Sequence, residues 1–318
     1  MQAKILNIAY AINEAYVDYC IVSMASILKN NSGKQISFHI LTDHLSAKAK
    51  SKIQNLITHH NLGGATFYEI SDSKVSHLAL NGWGKYAWYR LFLPELLDSR
   101  IDKVLYLDTD TIICGDISDL FATDLRDHSL AGCMDIMGFY DGIFQRVGYP
   151  KEYGYICSGV ILMNLDYFRE HDLSTKIMDF STLHPERINF PDQDAINCVC
   201  HTSMKLLPLK YDMLAPFFTD EAFIKSHTEE VKDMLHDPRI IHYAGCNPWI
   251  IGIEKHFHYH EFWKYAHIVG DIKAKHIAPF DIRSRIAVKR FLGILGIPKF
   301  KKYRPKKRPD FSLVSKLK

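Results

Sequence analysis

The sequence predicts an α/β protein: a mainly parallel, Rossmann-like nucleotide-binding sheet with flanking helices. Three observations predict it. Strand-like and helix-like segments alternate through the first 110 residues. Hydrophobic residues make up 47% of the 318, enough for a sizeable core. An apolar, strand-favouring run, Val104-Leu105-Tyr106-Leu107, ends on Asp108-Thr109-Asp110, at the end of a strand where ligands of open α/β sheets gather.

In order along the chain, strands are predicted at 5–10, 37–41, 65–70 and 104–107. Between them lie two amphipathic helices, at 19–29 and 46–60. The second starts on Ser46 as N-cap and carries Ala49, Ile53, Leu56 and Ile57 on its apolar side. This β–α–β–α–β order implies parallel pairing, right-handed crossovers and functional loops on one edge. Further strands are expected at 130–134, 160–163 and 239–243, and a helix at 192–200. The polar, charged stretch 217–236 reads as surface helix and loop. No internal repeat and no low-complexity segment precedes the tail.

No run of eighteen apolar residues occurs, which excludes a spanning helix. Met1-Gln2-Ala3-Lys4 leads straight into the first strand, too short and too lightly charged for a secretory signal. Seven cysteines, an odd number without Cys-x-x-Cys spacing, point to a reduced, cytoplasmic protein. Charge is unevenly spread. Residues 283–318 hold 13 Lys and Arg against one acid, Asp310, whereas the rest of the chain holds 26 basic and 35 acidic side chains. The expected organisation is therefore one domain over 1–280 and a basic amphipathic tail over 281–318. A helix drawn over 283–295 would carry Ile286, Phe291 and Leu292 near one side and basic residues elsewhere, followed by Lys/Arg-rich sequence with Phe300 and Tyr303. Apolar anchors with a polybasic run suit the anionic inner face of a membrane. A solvated tail is the alternative, and nucleic acid is not expected because no reader module accompanies the charge.

If the extended geometry persists through Asp110, Asp108 and Asp110 point to one side and can grip a hard divalent cation, a bound diphosphate completing its shell. The alternative is a turn whose aspartates cap local N–H groups.

Six segments in a fixed order decide more. They are Ser26-Ile27-Leu28-Lys29-Asn30-Asn31, Tyr89-Arg90-Leu91, Lys103 to Asp110, Ser158-Gly159-Val160-Ile161-Leu162-Met163-Asn164, Asp192-Gln193-Asp194, and Ile241-His242-Tyr243-Ala244-Gly245 with Pro248-Trp249. Over roughly 4–250 the chain resembles glycosyltransferase family 8, most closely its bacterial lipopolysaccharide galactosyl- and glucosyltransferases. The resemblance implies a glycosyltransferase A-type fold. It implies transfer of a hexose, with retention, from a UDP-sugar to a saccharide acceptor such as a lipid-linked lipopolysaccharide core or a capsule or O-antigen intermediate. It implies Mn²⁺ held by Asp108, Asp110 and His242, with Mg²⁺ as a substitute. Two carboxylates and an imidazole suit Mn²⁺ better than all-oxygen Mg²⁺, and the cation would stabilise the UDP leaving group.

By the same resemblance Ala11, Ile12, Asn13, Tyr16, Thr109, Ser158, Gly159, Gly245 and Asn247 line the donor. Arg90 lies beside the donor sugar; from the residues alone it reads as a surface salt bridge. Asp135 and Asp192 would hold sugar hydroxyls. Gln193 would sit beneath the anomeric carbon. An amide is a poor nucleophile, so front-side attack is favoured, with a UDP phosphate oxygen taking the acceptor proton. Double displacement on Asp194, rotating into reach, is the runner-up, and a structural role for Asp194 stays open.

The chain departs from the family pattern at four places. Asn13 stands where relatives carry an Asp for uridine, Ala15 where an Asn is common, and Cys157 where an Asn is usual. Asn247 stands where a Lys binds diphosphate, in a loop one residue shorter. Losing that Lys places more of the leaving-group charge on the cation, or requires a residue of the tail to substitute. These departures leave open a non-catalytic nucleotide-sugar or glycan-binding module. A metal-dependent phosphohydrolase, the third reading, lacks a water-activating base here. Donor identity between glucose and galactose, the acceptor and the oligomeric state are not legible in the sequence.

Overall fold

A computed structural model describes residues 5–58, 64–250, 256–270, 272, 288, 291 and 292. The chain opens with β1 (Leu6–Ala11), α1 (Val17–Asn30), β2 (Ile36–Thr42), α2 (Ala47–Thr58) and β3 (Gly64–Glu69). Then come β4 (Lys103–Leu107), β5 (Thr111–Ile113), β6 (Leu130–Met134), β7 (Ile156–Asn164), β8 (Met204–Leu207), β9 (Met213–Leu214) and β10 (Ile240–His242). The main sheet has seven strands in the order β3-β2-β1-β4-β7-β6-β8. Pairing is parallel from β3 to β4, antiparallel on both sides of β7, and parallel again between β6 and β8. A small sheet, β5-β10-β9, lies beyond the carboxyl end of β4.

The mainly parallel sheet is as the alternating pattern predicts. β1, β2 and β4 are buried on both faces, which explains their near-continuous apolar sequence. α2 begins as expected: the Ser46 hydroxyl accepts from Ala49 N–H at 3.1 Å, and Ala49, Ile53 and Ile57 are buried.

Two expectations are corrected. α1 is not amphipathic. From Tyr19 to Leu28 every residue is buried, because the main sheet packs on one side while β5 and the helix Tyr259–Val269 cover the other. Its polar Ser23 and Ser26 survive burial by hydrogen bonding, Ser26 accepting from Ile113 N–H at 2.9 Å. The stretch 217–236 is likewise only partly surface. Phe217, Phe218, Phe223, Val231 and Met234 are fully buried and form a core beneath the small sheet, while the intervening charged residues face outward. The predicted tail helix lies outside the described residues apart from Val288, Phe291 and Leu292.

Candidate active site

The carboxylate pair does not sit on a strand. β4 stops at Leu107, and 108–110 form a turn into β5. Thr111 closes it, donating from Oγ1 to the Asp108 carbonyl at 2.8 Å, and a buried chain of Tyr10, Ser23 and Thr111 hydroxyls supports it from behind. Period-two alternation is therefore not what aligns the carboxylates. The turn does so, and His242 arrives from the end of β10, which pairs with β5 at His242↔Thr111.

Ligand atoms of Asp108, Asp110 and His242 all lie within 4.8 Å of one another, and His242 Nε2 is 3.4 Å from Asp110 Oδ1. An ion about 2.0–2.6 Å from each donor spans such a set. Space has been left for the cluster. A Cβ at Gly159 would stand 2.3 Å from His242 Cε1 and 2.8 Å from both His242 Nε2 and Asp108 Oδ2. The residues present thus fit a divalent cation in both chemistry and room. His242 is buried at 2% exposure, and its Nδ1 lies 2.8 Å from Asp212 Oδ1. Burial lowers the basicity of this ring, but Asp212 and Asp110 more than offset it, and its pKa is raised well above that of free histidine.

Arg90 is not a surface salt bridge. It is 2% exposed in the buried second half of the helical segment Lys85–Phe92. Its guanidinium lies 4.0 Å over the Tyr106 ring, donates to Asp108 Oδ1 at 3.1 Å and to the Ser158 carbonyl, and places Nε 3.2 Å from Asp192 Oδ2. Burial disfavours that charge, yet Asp192, Tyr106 and Asp108 hold its pKa above the ordinary arginine value. Asp192 is nine-tenths buried and its Oδ2 has no hydrogen bond, although Arg90 is within ion-pair range. Burial raises the Asp192 pKa, and Arg90 only partly compensates.

Asp192, Gln193 and Asp194 open the helix Pro191–Cys200. Gln193 is fixed on three sides, its Oε1 accepting from Ser158 N–H at 2.9 Å and its Nε2 donating to Asp135 Oδ2 at 3.1 Å and the Tyr155 hydroxyl at 3.2 Å. Asp135, at the end of β6, has its pKa raised by burial. Asp194 reaches this group only through the Tyr155 hydroxyl, which it shares with Gln193. It is fully buried and accepts five hydrogen bonds: two from Arg146, one from the Tyr155 hydroxyl at 2.6 Å, and the Asn189 and Phe190 N–H groups.

At the β1 end, Ile12 is 1% exposed and Ala11 is half-buried. Asn13 spends its Oδ1 on Ala15 N–H at 3.0 Å. Tyr16 is 42% exposed and stands edge-on to Trp249, which stacks on Tyr19 at 3.8 Å. Thr109 and Ser158 are buried beside the cluster, Gly245 is exposed with φ +65°, and Asn247 is half-buried. Cys157 lies against His242, its Sγ 3.8 Å from Nδ1 and only 4% exposed. Sequence reasoning passed over Tyr106, Arg146, Tyr155 and Asp212. Asp212 did leave a signal: it is an acid inside the apolar run Leu206–Phe218.

Fold and sequence family together are those of a glycosyltransferase. The chain belongs to glycosyl transferase family 8, whose model matches residues 7–250. It is 29% identical over 250 residues to the lipopolysaccharide 1,2-glucosyltransferase of Escherichia coli K12, covering 78% of this chain and 73% of that one. It is 23% identical over 255 residues to the lipopolysaccharide 1,3-galactosyltransferase of Salmonella typhimurium, covering 76% and 72%. The fold matches the crystal structure of the galactosyltransferase LgtC with donor and acceptor sugar analogues, at TM-score 0.76 and 21% identity over 88% of this chain and all of that one. Among the described residues no helix is long and apolar enough to cross a membrane.

Proposed function

We propose that this protein transfers glucose or galactose, with retention, from a UDP-sugar to a saccharide acceptor of the lipopolysaccharide type, with Mn²⁺ as cofactor. One observation carries the reading. The Asp108–Asp110–His242 cluster, with the room left by Gly159, is joined through Arg90 to the sugar-binding candidate Asp192. Asp108, Asp110 and His242 would hold the cation, which when bound neutralises the diphosphate leaving group. Tyr16, with Asn13 beside it, offers an exposed aromatic face to the base. Arg90, Asp192 and Asp135 hold sugar hydroxyls, and the raised pKa values of the two acids reflect the dry pocket that strengthens such bonds.

Gln193 would lie beneath the anomeric carbon, held by Ser158, Asp135 and Tyr155, where its amide dipole steadies positive charge developing on the sugar. The acceptor hydroxyl would enter on the leaving-group side and pass its proton to a phosphate oxygen. The lock on Asp194 favours this front-side course, because a nucleophile would have to abandon five hydrogen bonds, two of them from Arg146.

The test is UDP release from a panel of UDP-hexoses, with and without Mn²⁺, beside Asp110→Ala. Mn²⁺-dependent release from one hexose, lost in the variant, is expected. Nucleotide-sugar binding without turnover would establish the non-catalytic module instead. Because Asn247 replaces a diphosphate-binding Lys, appreciable turnover without divalent cation would contradict the mechanism. A lipid-linked acceptor and attachment of the basic 283–318 segment to anionic membrane belong to the same reading. Equal binding of the full chain and a 1–280 truncation to anionic liposomes would remove the attachment.

A further inference from the structure

The geometry points to Asp212 as the positioning residue of the cation cage: it fixes the ring of His242 so that Nε2 faces Asp108 and Asp110 with its lone pair free. The inference rests on the reading of those three residues as a cation site and adds a fourth residue that does not touch the ion. A neutral imidazole carries one N–H and one bare nitrogen, and a cation takes the bare one. In His242 the nitrogen toward the cluster is Nε2, 3.4 Å from Asp110 Oδ1. The proton must then sit on Nδ1, and an acceptor 2.8 Å away, Asp212 Oδ1, stabilises it there.

The fold builds this contact from separate pieces. Asp212 stands immediately before β9, β9 runs parallel to β10, and His242 ends β10. Asp212 is fully buried, and its second oxygen, Oδ2, has no hydrogen-bond partner. A buried carboxylate with an unpaired oxygen costs stability, so its own interactions do not account for an acid in this apolar run. What it does for His242 accounts for it. Cys157 closes the remaining side of Nδ1, and the ring, 2% exposed, cannot turn over without stripping Asp212 of this hydrogen bond.

Cys157, Asp212 and His242 Nδ1 also lie within 4.8 Å of one another, which raises the alternative of a second, thiophilic ion. The Asp212–His242 separation of 2.8 Å decides against it. Tetrahedral ligands about 2.0 Å from one ion stand about 3.3 Å apart. The contact is a hydrogen bond.

The experiment titrates Mn²⁺ into the full-length protein and reads the free ion by electron paramagnetic resonance, for wild type, Asp110→Asn, Asp212→Ala and Asp212→Asn. Wild type should bind and Asp110→Asn should not. Asp212→Ala should weaken affinity by about 10–100-fold. Asp212→Asn, whose amide oxygen still accepts from Nδ1–H, should recover most of that loss. Long-range ¹H–¹⁵N spectra of the wild type at alkaline pH should show His242 protonated on Nδ1, and Asp212→Ala should populate both tautomers. Unchanged affinity in Asp212→Ala, or an Nε2–H tautomer in wild type, overturns the inference while leaving the cation site standing; the wild-type spectrum decides even if the variants fail to fold. A wild type that binds no Mn²⁺ overturns the cation site itself and, with it, the role assigned to Asp212.

Discussion

Replacing Gly159 by alanine adds one methyl group at the centre of the site, and the structure says how much has to move. The new Cβ would lie 2.3 Å from His242 Cε1 and 2.8 Å from Asp108 Oδ2. Carbon atoms rest about 3.5–4.0 Å apart, so the His242 contact alone demands a displacement of about 1.2–1.7 Å. Neither neighbour yields easily. His242 is held by Asp212 at 2.8 Å, and Asp108 by the Tyr106 hydroxyl at 3.0 Å and Arg90 at 3.1 Å. Gly159 itself has little freedom, because its carbonyl accepts from Asp108 N–H at 2.8 Å just past the end of the β4–β7 pairing.

The expected outcome is overpacking that costs about 1–3 kcal/mol of stability. With it should come a fall of about 10²-fold in turnover, since a displacement of about 1 Å at reacting groups has that effect. Mn²⁺ affinity should fall in parallel. Thermal melts, UDP release at saturating Mn²⁺ and the Mn²⁺ titration read the three effects separately. Gly142→Ala is the control: nothing lies within 4 Å of the added Cβ, so it should be silent in all three. Wild-type turnover and affinity in Gly159→Ala would refute the claim that this glycine leaves room for the cage.

Two further outcomes are expected. Asp194→Ala leaves the Tyr155 hydroxyl and the Asn189 and Phe190 N–H groups without their acceptor and half-buried Arg146 without its partner, and should cost at least about 1–3 kcal/mol in urea unfolding, the cost of stranding one buried donor; a loss below about 1 kcal/mol would contradict the anchoring role. Mn²⁺ affinity should rise with pH by about tenfold per unit until the raised His242 pKa is passed, because the ion displaces the ring proton. The sign for the metal-free fold is opposite: the protonated ring stabilises it below about pH 6.5 and that contribution fades as pH climbs through the folded value. A flat affinity profile through neutrality would remove His242 from the ligand set.

Much of the frame was legible in the sequence. Strand and helix periodicity placed β1, β2, β3, β4 and α2 within a few residues, because burial of one or both faces writes itself into local composition. The short strands β5, β8 and β9 were not legible, since runs of 2–4 residues carry no period. The amphipathic reading of α1 and the surface reading of 217–236 failed for one reason. Which faces are covered depends on what packs there: β5 and the helix Tyr259–Val269 on α1, and on 217–236 the segment around Leu209–Leu214 with the small sheet.

The sequence by itself determined the family, the parallel α/β plan and the residue types at the site, because the motifs are contiguous and their order is read directly. Tertiary structure alone decided how those residues are used. The Asp108–Asp110 pair converges through a turn rather than along a strand. Arg90 became a buried bridge to Ser158, 68 positions away, and His242 gained Asp212, 30 positions away. A hydrogen bond between distant residues leaves no period or spacing in the chain. It exists only once the sheet order has brought the carboxyl end of β4, the start of the helix Pro191–Cys200, the start of β9 and the end of β10 to one place.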